Sequence, residues 1–254
     1  MTWYRTFFEG VPQRAWKLGQ TIERDELEAE FLWDMLYLGE GDKVLDIFSG
    51  YGRHAIPLAR NKVEMWCVDI SPESCEELSV ESREQHLGIQ VLCGDFLEAP
   101  LPPVEMDAAY CMGNSLCFFD RTTMPKFLSK IASALKKDAP VMLHSALLAE
   151  SVLPHFQLNE WMHTGQGEET IYYLAYNEYD PIEGIIRAEI TYLENGKRHP
   201  YRIEQHIYTL SEIKNMCENA GLFVEGVYSA LDAEPYRLGD EEAFILLRKS
   251  SPSS

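Results

Sequence analysis

Between Lys43 and Arg60 the chain reads KVLDIFSGYGRHAIPLAR, and few folds accept such a stretch. A short apolar run, Val44-Leu45-Asp46-Ile47-Phe48, leads into Gly50-Tyr51-Gly52. Ala55, Ile56, Leu58 and Ala59 then follow at helical spacing. A buried strand, a glycine turn and a helix form the opening unit of a nucleotide-binding α/β domain. Glycine serves the turn because a Cβ would block both the tight bend and the approach of a ligand to the backbone. The helix N-terminus adds free N–H groups aimed into the same space. Gly50 to Ala55 also fits G-x-G-x-x-A, so an NAD-type oxidoreductase enters as one reading.

Met65 to Asp69 reads as a second buried strand, which places Asp69 about 20 residues past the glycines. A carboxylate at that point accepts both hydroxyls of a ribose. Turn and acid together indicate an adenosine-containing ligand. With these residues in place, the chain resembles the class I S-adenosylmethionine (SAM) dependent methyltransferases of small-molecule type. Asp46 ahead of Gly50 and Gly52 is similar to the family's D-x-G-x-G-x-G loop, with Phe48 where the first glycine often stands. Gly94-Asp95-Phe96, after the strand Ile89 to Cys93, is similar to its G-D-h element. Met106 to Ser115 is similar to its fourth strand and following loop. The likeness runs from about Glu30 to Arg248.

The resemblance implies SAM as cofactor and S-adenosylhomocysteine as product. It further implies that Gly50 and Gly52 pass under the cofactor beside Asp46, and that Asp69 takes the ribose. Asp95, Phe96 and Ile70 would hold the adenine, and Cys111 and Met112 would give main-chain contacts to the methionine part. A third reading is a SAM-binding regulatory protein without catalysis.

The formal charge of −19 bears on the substrate. A polyanionic surface repels phosphate backbones, and the chain has no Lys/Arg run of nucleic-acid type. The loop after the fourth strand reads Cys-Met-Gly-Asn-Ser, without the N/D-P-P-Y or Pro-Cys signatures of base methylation. A small metabolite is therefore the expected partner, with N- or O-methylation open and a monomer or homodimer expected. No apolar run reaches the roughly 18 residues of a membrane helix, and the first ten residues lack a signal-peptide pattern. The six cysteines form no C-x-x-C and lie mostly on apparent buried strands. They read as reduced core thiols of a cytoplasmic protein, with no metal site.

Taken in order, residues 1–40 hold an aromatic N-terminus and a helix from about Thr21 to Leu38, with Leu27, Phe31, Leu32, Met35 and Leu36 as its apolar stripe. Tyr4, Phe8 and Trp16 suit a flap over the cofactor, because a sulfonium cation is favoured beside aromatic faces. Residues 41–144 form a Rossmann-like core of strands alternating with helices, hence a parallel sheet. Residues 145–208 carry an inserted antiparallel meander, with strands at Thr170–Tyr179, Gly184–Leu193 and Arg198–Tyr208 and an Asn195-Gly196 hairpin turn. Residues 209–254 return to the core, starting at the capping box Thr209-Leu210-Ser211-Glu212. The expected fold is α/β, a doubly wound, mostly parallel seven-stranded sheet with an antiparallel last strand.

Methyl transfer from a sulfonium needs an aligned nucleophile and exclusion of water more than covalent help. The catalytic candidates are Asn114, with Ser115, after strand four and His144 at the end of strand five, the histidine as a base near neutral pH. Tyrosines and acids crowd the insert, as a substrate lid or dimer surface would require.

Overall fold

Unbroken apolar runs such as Val44 to Ile47 suit strands covered on both faces, and the computed structural model places them there. It describes residues 3–250; residues 1–2 of the expected flap and 251–254 of the expected C-terminal part lie outside them. Helices α1 (Tyr4–Phe7), α2 (Val11–Leu18) and α3 (Ile22–Met35) precede strand β1 (Lys43–Ile47). There follow α4 (Ala55–Arg60), β2 (Glu64–Asp69), α5 (Pro72–Glu84), β3 (Gln90–Cys93), β4 (Ala108–Cys111), α6 (Met124–Ala134) and β5 (Pro140–Ser145). A short α7 (Ala149–Val152) leads to β6 (Asn159–Thr164), β7 (Ile171–Asp180), β8 (Ile185–Glu194) and β9 (Lys197–His206). Helix α8 (Leu210–Asn219), β10 (Leu222–Tyr228) and β11 (Ala243–Lys249) close the chain.

The first sheet has seven strands in the order β10-β11-β5-β4-β1-β2-β3. Strand β11 runs antiparallel to both neighbours, and the remaining pairs are parallel. The strand order reverses between β1 and β4, which opens a crevice beyond their carboxyl ends. Alternate residues feed two cores. Leu45, Ile47, Ala109, Cys111, Val141 and Leu143 pack toward α6 and α8. Val44, Met65, Cys67, Tyr110 and Met142 pack toward α3, α4 and α5. Both the fold class and the antiparallel last strand are as expected.

The insert differs in one respect: it is a four-stranded sheet, β6-β7-β8-β9, and not a three-stranded meander. Strand β6, Asn-Glu-Trp-Met-His-Thr, is an edge strand with Trp161 73% exposed, so burial leaves no alternating signature in its sequence. Pairing with β7 alone makes it a strand. The inner face of this sheet carries Ala175, Ala188, Ile190, Tyr192 and Ile203, which receive Val11 and Ala15 of α2. Two alanines there let the helix lie close. The aromatic N-terminus is thus both docked and wall-forming: Phe7 packs on Tyr192 and Tyr201, while Tyr4 and Phe8 pack on Phe118.

Two local expectations, for the α3 stripe and for the cysteines, are corrected. In α3 Phe31 and Leu32 are buried as expected, but Glu28 turns inward where Leu27 was expected, and Leu27 is exposed. Thr21 caps that helix by accepting the Arg24 N–H at 3.2 Å. Leu135 leaves α6 with extended backbone and bridges Met106. Of the six cysteines, Cys75, Cys117 and Cys217 sit on helical segments, and Cys93 is exposed. Among the described residues no helix is long and apolar enough to cross a membrane.

Candidate active site

Beyond the ends of β1, β2 and β4 lies a cleft of about 950 Å³ including its open mouth. Its floor is the glycine loop. Phe48 has φ +64°, a left-handed conformation that strains a bulky side chain and explains why a glycine suits this position. Its ring is held by stacking on Phe127 at 5.7 Å between centroids. The Phe48 and Ser49 N–H groups both donate to the Val68 carbonyl, at 2.8 and 3.2 Å, which fastens the loop to β2.

The two glycines serve different ends. Gly52 (φ +85°) packs on α5, where a Cβ would fall 2.3 Å from the Leu78 Cδ1, and it lies beneath the wall of the cleft. Gly50 (φ +54°) forms part of the wall, with nothing within 4 Å of where its Cβ would be. Gly52→Ala is therefore expected to lower stability by about 2–4 kcal/mol, combining overpacking with the strained φ. Gly50→Ala should lose only about 1 kcal/mol in the free protein while obstructing any ligand laid across the loop. Urea unfolding beside ligand titration separates the two effects.

Three carboxylates reach the cleft. Asp69 is buried; its Oδ2 accepts the Gly50 N–H and its Oδ1 accepts the Ser71 N–H, both at 2.8 Å. Burial raises its pKa, and these N–H groups work against that rise. Asp46, at the end of β1, accepts the Tyr110 hydroxyl proton at 2.9 Å. Burial pushes Asp46 up to about 7, despite the Tyr110 hydrogen bond and the Arg53 charge. Asp95 accepts the Leu97 N–H at 2.9 Å and pairs with Arg5 of α1 at 2.6 Å, so the N-terminus is strapped to it.

Of the other expected residues, Ile70, Met112, Tyr4 and Trp16 line the cleft. Phe96 and Cys111 lie behind the wall in the core. A Cβ on Gly113 would come 3.7 Å from the Trp16 ring, which places that indole over the loop after β4. Tyr4 stacks on Phe118 at 5.5 Å.

The two catalytic candidates stand outside the lining. His144 is buried, and both its nitrogens are engaged: Nδ1 accepts the Gly113 N–H at 3.1 Å, and Nε2 faces Glu242 Oε2 at 3.0 Å. Because a backbone N–H can only donate, the proton of the neutral ring lies on Nε2. The lone pair a base would need is committed to Gly113. Asn114 has φ +71°, and its Oδ1 accepts the Ala146 N–H, joining the loops after β4 and β5.

Several lining residues were not anticipated from sequence. Arg53 and His54 follow the glycines directly and both meet Glu28 of α3, His54 through Nε2 at 2.7 Å. Burial pulls His54 down to about 4, with the Glu28 hydrogen bond opposing. Burial alone would raise Glu28, but His54, Arg53 and Arg24 outweigh it and hold it well below the usual carboxylate range. Gln13 of α2 is paired with Ser74 at the start of α5. Among the described residues the Ser49 hydroxyl, buried in the wall, has no hydrogen-bond partner. An orphaned hydroxyl beside a glycine floor fits a polar ligand that supplies the missing partner. Polar neighbours of the glycines were the available signal, and the long-range partner of each was not.

Residues 44–138 match the family model described as a methyltransferase domain. No curated protein matches the chain in sequence. Solved structures match across its length. A SAM-dependent methyltransferase from Clostridium acetobutylicum has a TM-score of 0.77 at 16% identity, covering 94% of this chain and 96% of its own. CalS10, described as an amino pentose methyltransferase from Micromonospora echinaspora with SAM bound, gives 0.71 at 14% identity, covering 95% and 98%. KedS8, described as a sugar N-methyltransferase from Streptoalloteichus, gives 0.70 at 16% identity, covering 92% and 90%. At these identities the structures establish the shared fold.

Proposed function

We propose that this SAM-dependent methyltransferase, whose residues 44–138 match the methyltransferase-domain model, methylates the neutral nitrogen of a small hydroxylated amine of amino-sugar type. The observation that carries the choice of nitrogen is the state of the basic groups at the cleft. The one imidazole in the lining, His54, gives a nitrogen to Glu28 and is held near a pKa of 4, too weakly basic to prepare an alcohol. Both oxygens of Asp69 and both of Asp95 are already engaged, and Asp46, lifted to about 7, accepts the Tyr110 hydroxyl proton and in this reading faces the cofactor's ammonium, away from the acceptor. An amine that arrives neutral brings its own lone pair and needs only alignment. The amine and sugar chemistry in the descriptions of CalS10 and KedS8 supports the same class. The acidic chain suits a cationic metabolite over a nucleic acid.

In this reading the cofactor lies across the glycine loop. Asp69 receives the ribose hydroxyls with the free lone pairs of its two oxygens, and Asp95 with Ile70 borders the adenine. Asp46 faces the methionyl ammonium, Ser49 supplies a hydroxyl to the same end, and Met112 and Gly113 present main chain to it. Tyr4 and Trp16 offer π-faces that favour a sulfonium and exclude water. SAM supplies the methyl group; the protein's part is to hold, align and enclose.

The test is methyl uptake from labelled SAM onto amino hexoses and amino pentoses, with the parent sugars as controls. Transfer to the amines alone is expected, with kcat/KM rising through the amine's own pKa as its lone pair is freed. Transfer to the parent sugars at comparable rate would sink the nitrogen assignment.

A further inference from the structure

Two loops flank the cleft: the glycine loop, with Arg53 and His54, and the loop after β4, with Gly113. A chain of charged groups joins them around the outside. Gly113 N–H donates to His144 Nδ1 at 3.1 Å, and His144 Nε2 meets Glu242 Oε2 at 3.0 Å. Both oxygens of Glu242 receive Arg24 Nη2, at 3.0 and 3.1 Å. The Nε of that same guanidinium donates to Glu28 Oε1 at 2.7 Å. Glu28 Oε2 then holds His54 at 2.7 Å and Arg53 at 2.5 Å. Asp25, one turn earlier in α3, takes Arg53 as well, at 2.9 Å. Every link beyond that first neutral one, from Gly113 to His144, has an ionised partner, the stronger and more directional kind.

We infer that Arg24 is a positioning residue for methyl transfer, a side chain that ties the glycine loop to the loop after β4 through Glu28 on one side and Glu242 on the other. Arg24 lines no part of the cleft, and its side chain is 47% exposed. Its own exposure rules out a large role in packing, so its removal tests the tie and leaves the core intact. The geometry also needs arginine: one planar fork reaches two carboxylates in different directions, which a lysine ammonium reaches less well. Without it, Glu242 loses the cation that fixes its carboxylate, His144 loses its fixed ring orientation, and Gly113 loses a defined acceptor. At the other end Glu28 keeps Arg53 and His54, so the glycine loop stays folded while its registry with Gly113 is left to the pairing of β1 with β4 alone. The inference rests on the methyltransferase reading for its link to the cofactor, while the tie itself stands on the hydrogen bonds.

The test uses Arg24→Ala, Arg24→Lys and Glu242→Gln in the full chain, with S-adenosylhomocysteine titration and the ¹⁵N–¹H resonance of Gly113 as readouts. Arg14→Ala, which breaks an ion pair to Glu194 on the second sheet, is the control for loss of an exposed arginine. Arg24→Ala is expected to weaken S-adenosylhomocysteine about tenfold, the effect of one charge-assisted hydrogen bond, and to move the Gly113 resonance. Arg24→Lys should restore part of both. Glu242→Gln, which keeps an acceptor for His144 Nε2, should move Gly113 less than Arg24→Ala does. An Arg24→Ala protein with a Gly113 resonance like wild type, or one matched by Arg14→Ala, overturns the tie. If the wild-type chain itself fails to bind S-adenosylhomocysteine, the cofactor reading fails, and the Gly113 resonance still decides the tie.

Discussion

Asp69→Ala is expected to abolish measurable S-adenosylhomocysteine binding, with a loss of at least about 100-fold, while the protein stays folded. The side chain holds the Gly50 and Ser71 N–H groups at 2.8 Å on separate oxygens, so it fixes the glycine loop and the start of α5 at once. A hydrogen bond to a charged group contributes about 1.5–3 kcal/mol. If Asp69 takes both ribose hydroxyls as proposed, their loss accounts for roughly 3–6 kcal/mol, or about 10²–10⁴ in affinity, before any loosening of the loop is counted. Stability responds less, because burial already penalises the Asp69 charge and its removal recovers part of that penalty. Asp69→Asn should fall between: its amide keeps one acceptor but turns an NH₂ toward one of the two backbone donors. Calorimetric titration beside thermal unfolding checks this. Binding within tenfold of wild type in Asp69→Ala would remove Asp69 from the cofactor site.

Much of this architecture was legible because local chemistry and tertiary burial agree along the core. Val44 to Ile47, Ala108 to Cys111 and Val141 to Leu143 are buried without interruption, and strands covered on both faces need that. Thr209 and Glu212 spell a capping box, and the structure closes it with both reciprocal bonds. The acids at strand ends were visible for the same reason: a carboxylate at the end of a buried strand contradicts its surroundings unless a ligand or a donor answers it.

What stayed hidden depends on partners distant in sequence. Glu28 reads as one more acid on a polar helix, and only Arg53 and His54, from a loop 25 and 26 residues on, make it a buried hub. His144 has the form of a base until Gly113 and Glu242 occupy its nitrogens. Strand β6 escapes because an exposed edge strand needs only a backbone partner, and backbone pairing leaves no side-chain pattern. Phe48 shows the reverse case. Its place in the glycine loop reads as a mismatch, yet a ring anchored on Phe127 lets the chain hold a conformation that glycine takes freely.

Asp46→Asn is expected to do two opposite things: stabilise the free protein and cripple cofactor binding. In the folded chain burial raises the Asp46 carboxyl to about 7, while in the unfolded chain it titrates near 3.9. Between those values the folded state binds the extra proton, so stability falls as pH rises from about 4 to about 7 and stays reduced above. The folded chain thus holds that proton roughly a thousandfold more tightly than the unfolded one, which corresponds to at most ~4 kcal/mol. Asparagine removes this dependence and still accepts the Tyr110 hydroxyl proton, so at pH 8 the variant should melt several degrees higher, on the order of 5–10 °C. At pH 4 the difference should nearly vanish, since the wild-type carboxyl is then protonated in the folded state. Binding runs the other way. The cofactor's ammonium beside Asp46 would favour the ionised carboxylate, so wild-type affinity should fall as pH drops below about 7, with proton release on binding. The variant lacks the charge, should bind about 100-fold more weakly at pH 8, and should release no proton from this site. Unfolding scans at pH 4 and 8, with titrations in buffers of different ionisation enthalpy, read both effects. A variant that melts no higher than wild type at pH 8 would show that Asp46 is not strained by burial, and one that binds S-adenosylhomocysteine equally well there would show that the cofactor does not use it.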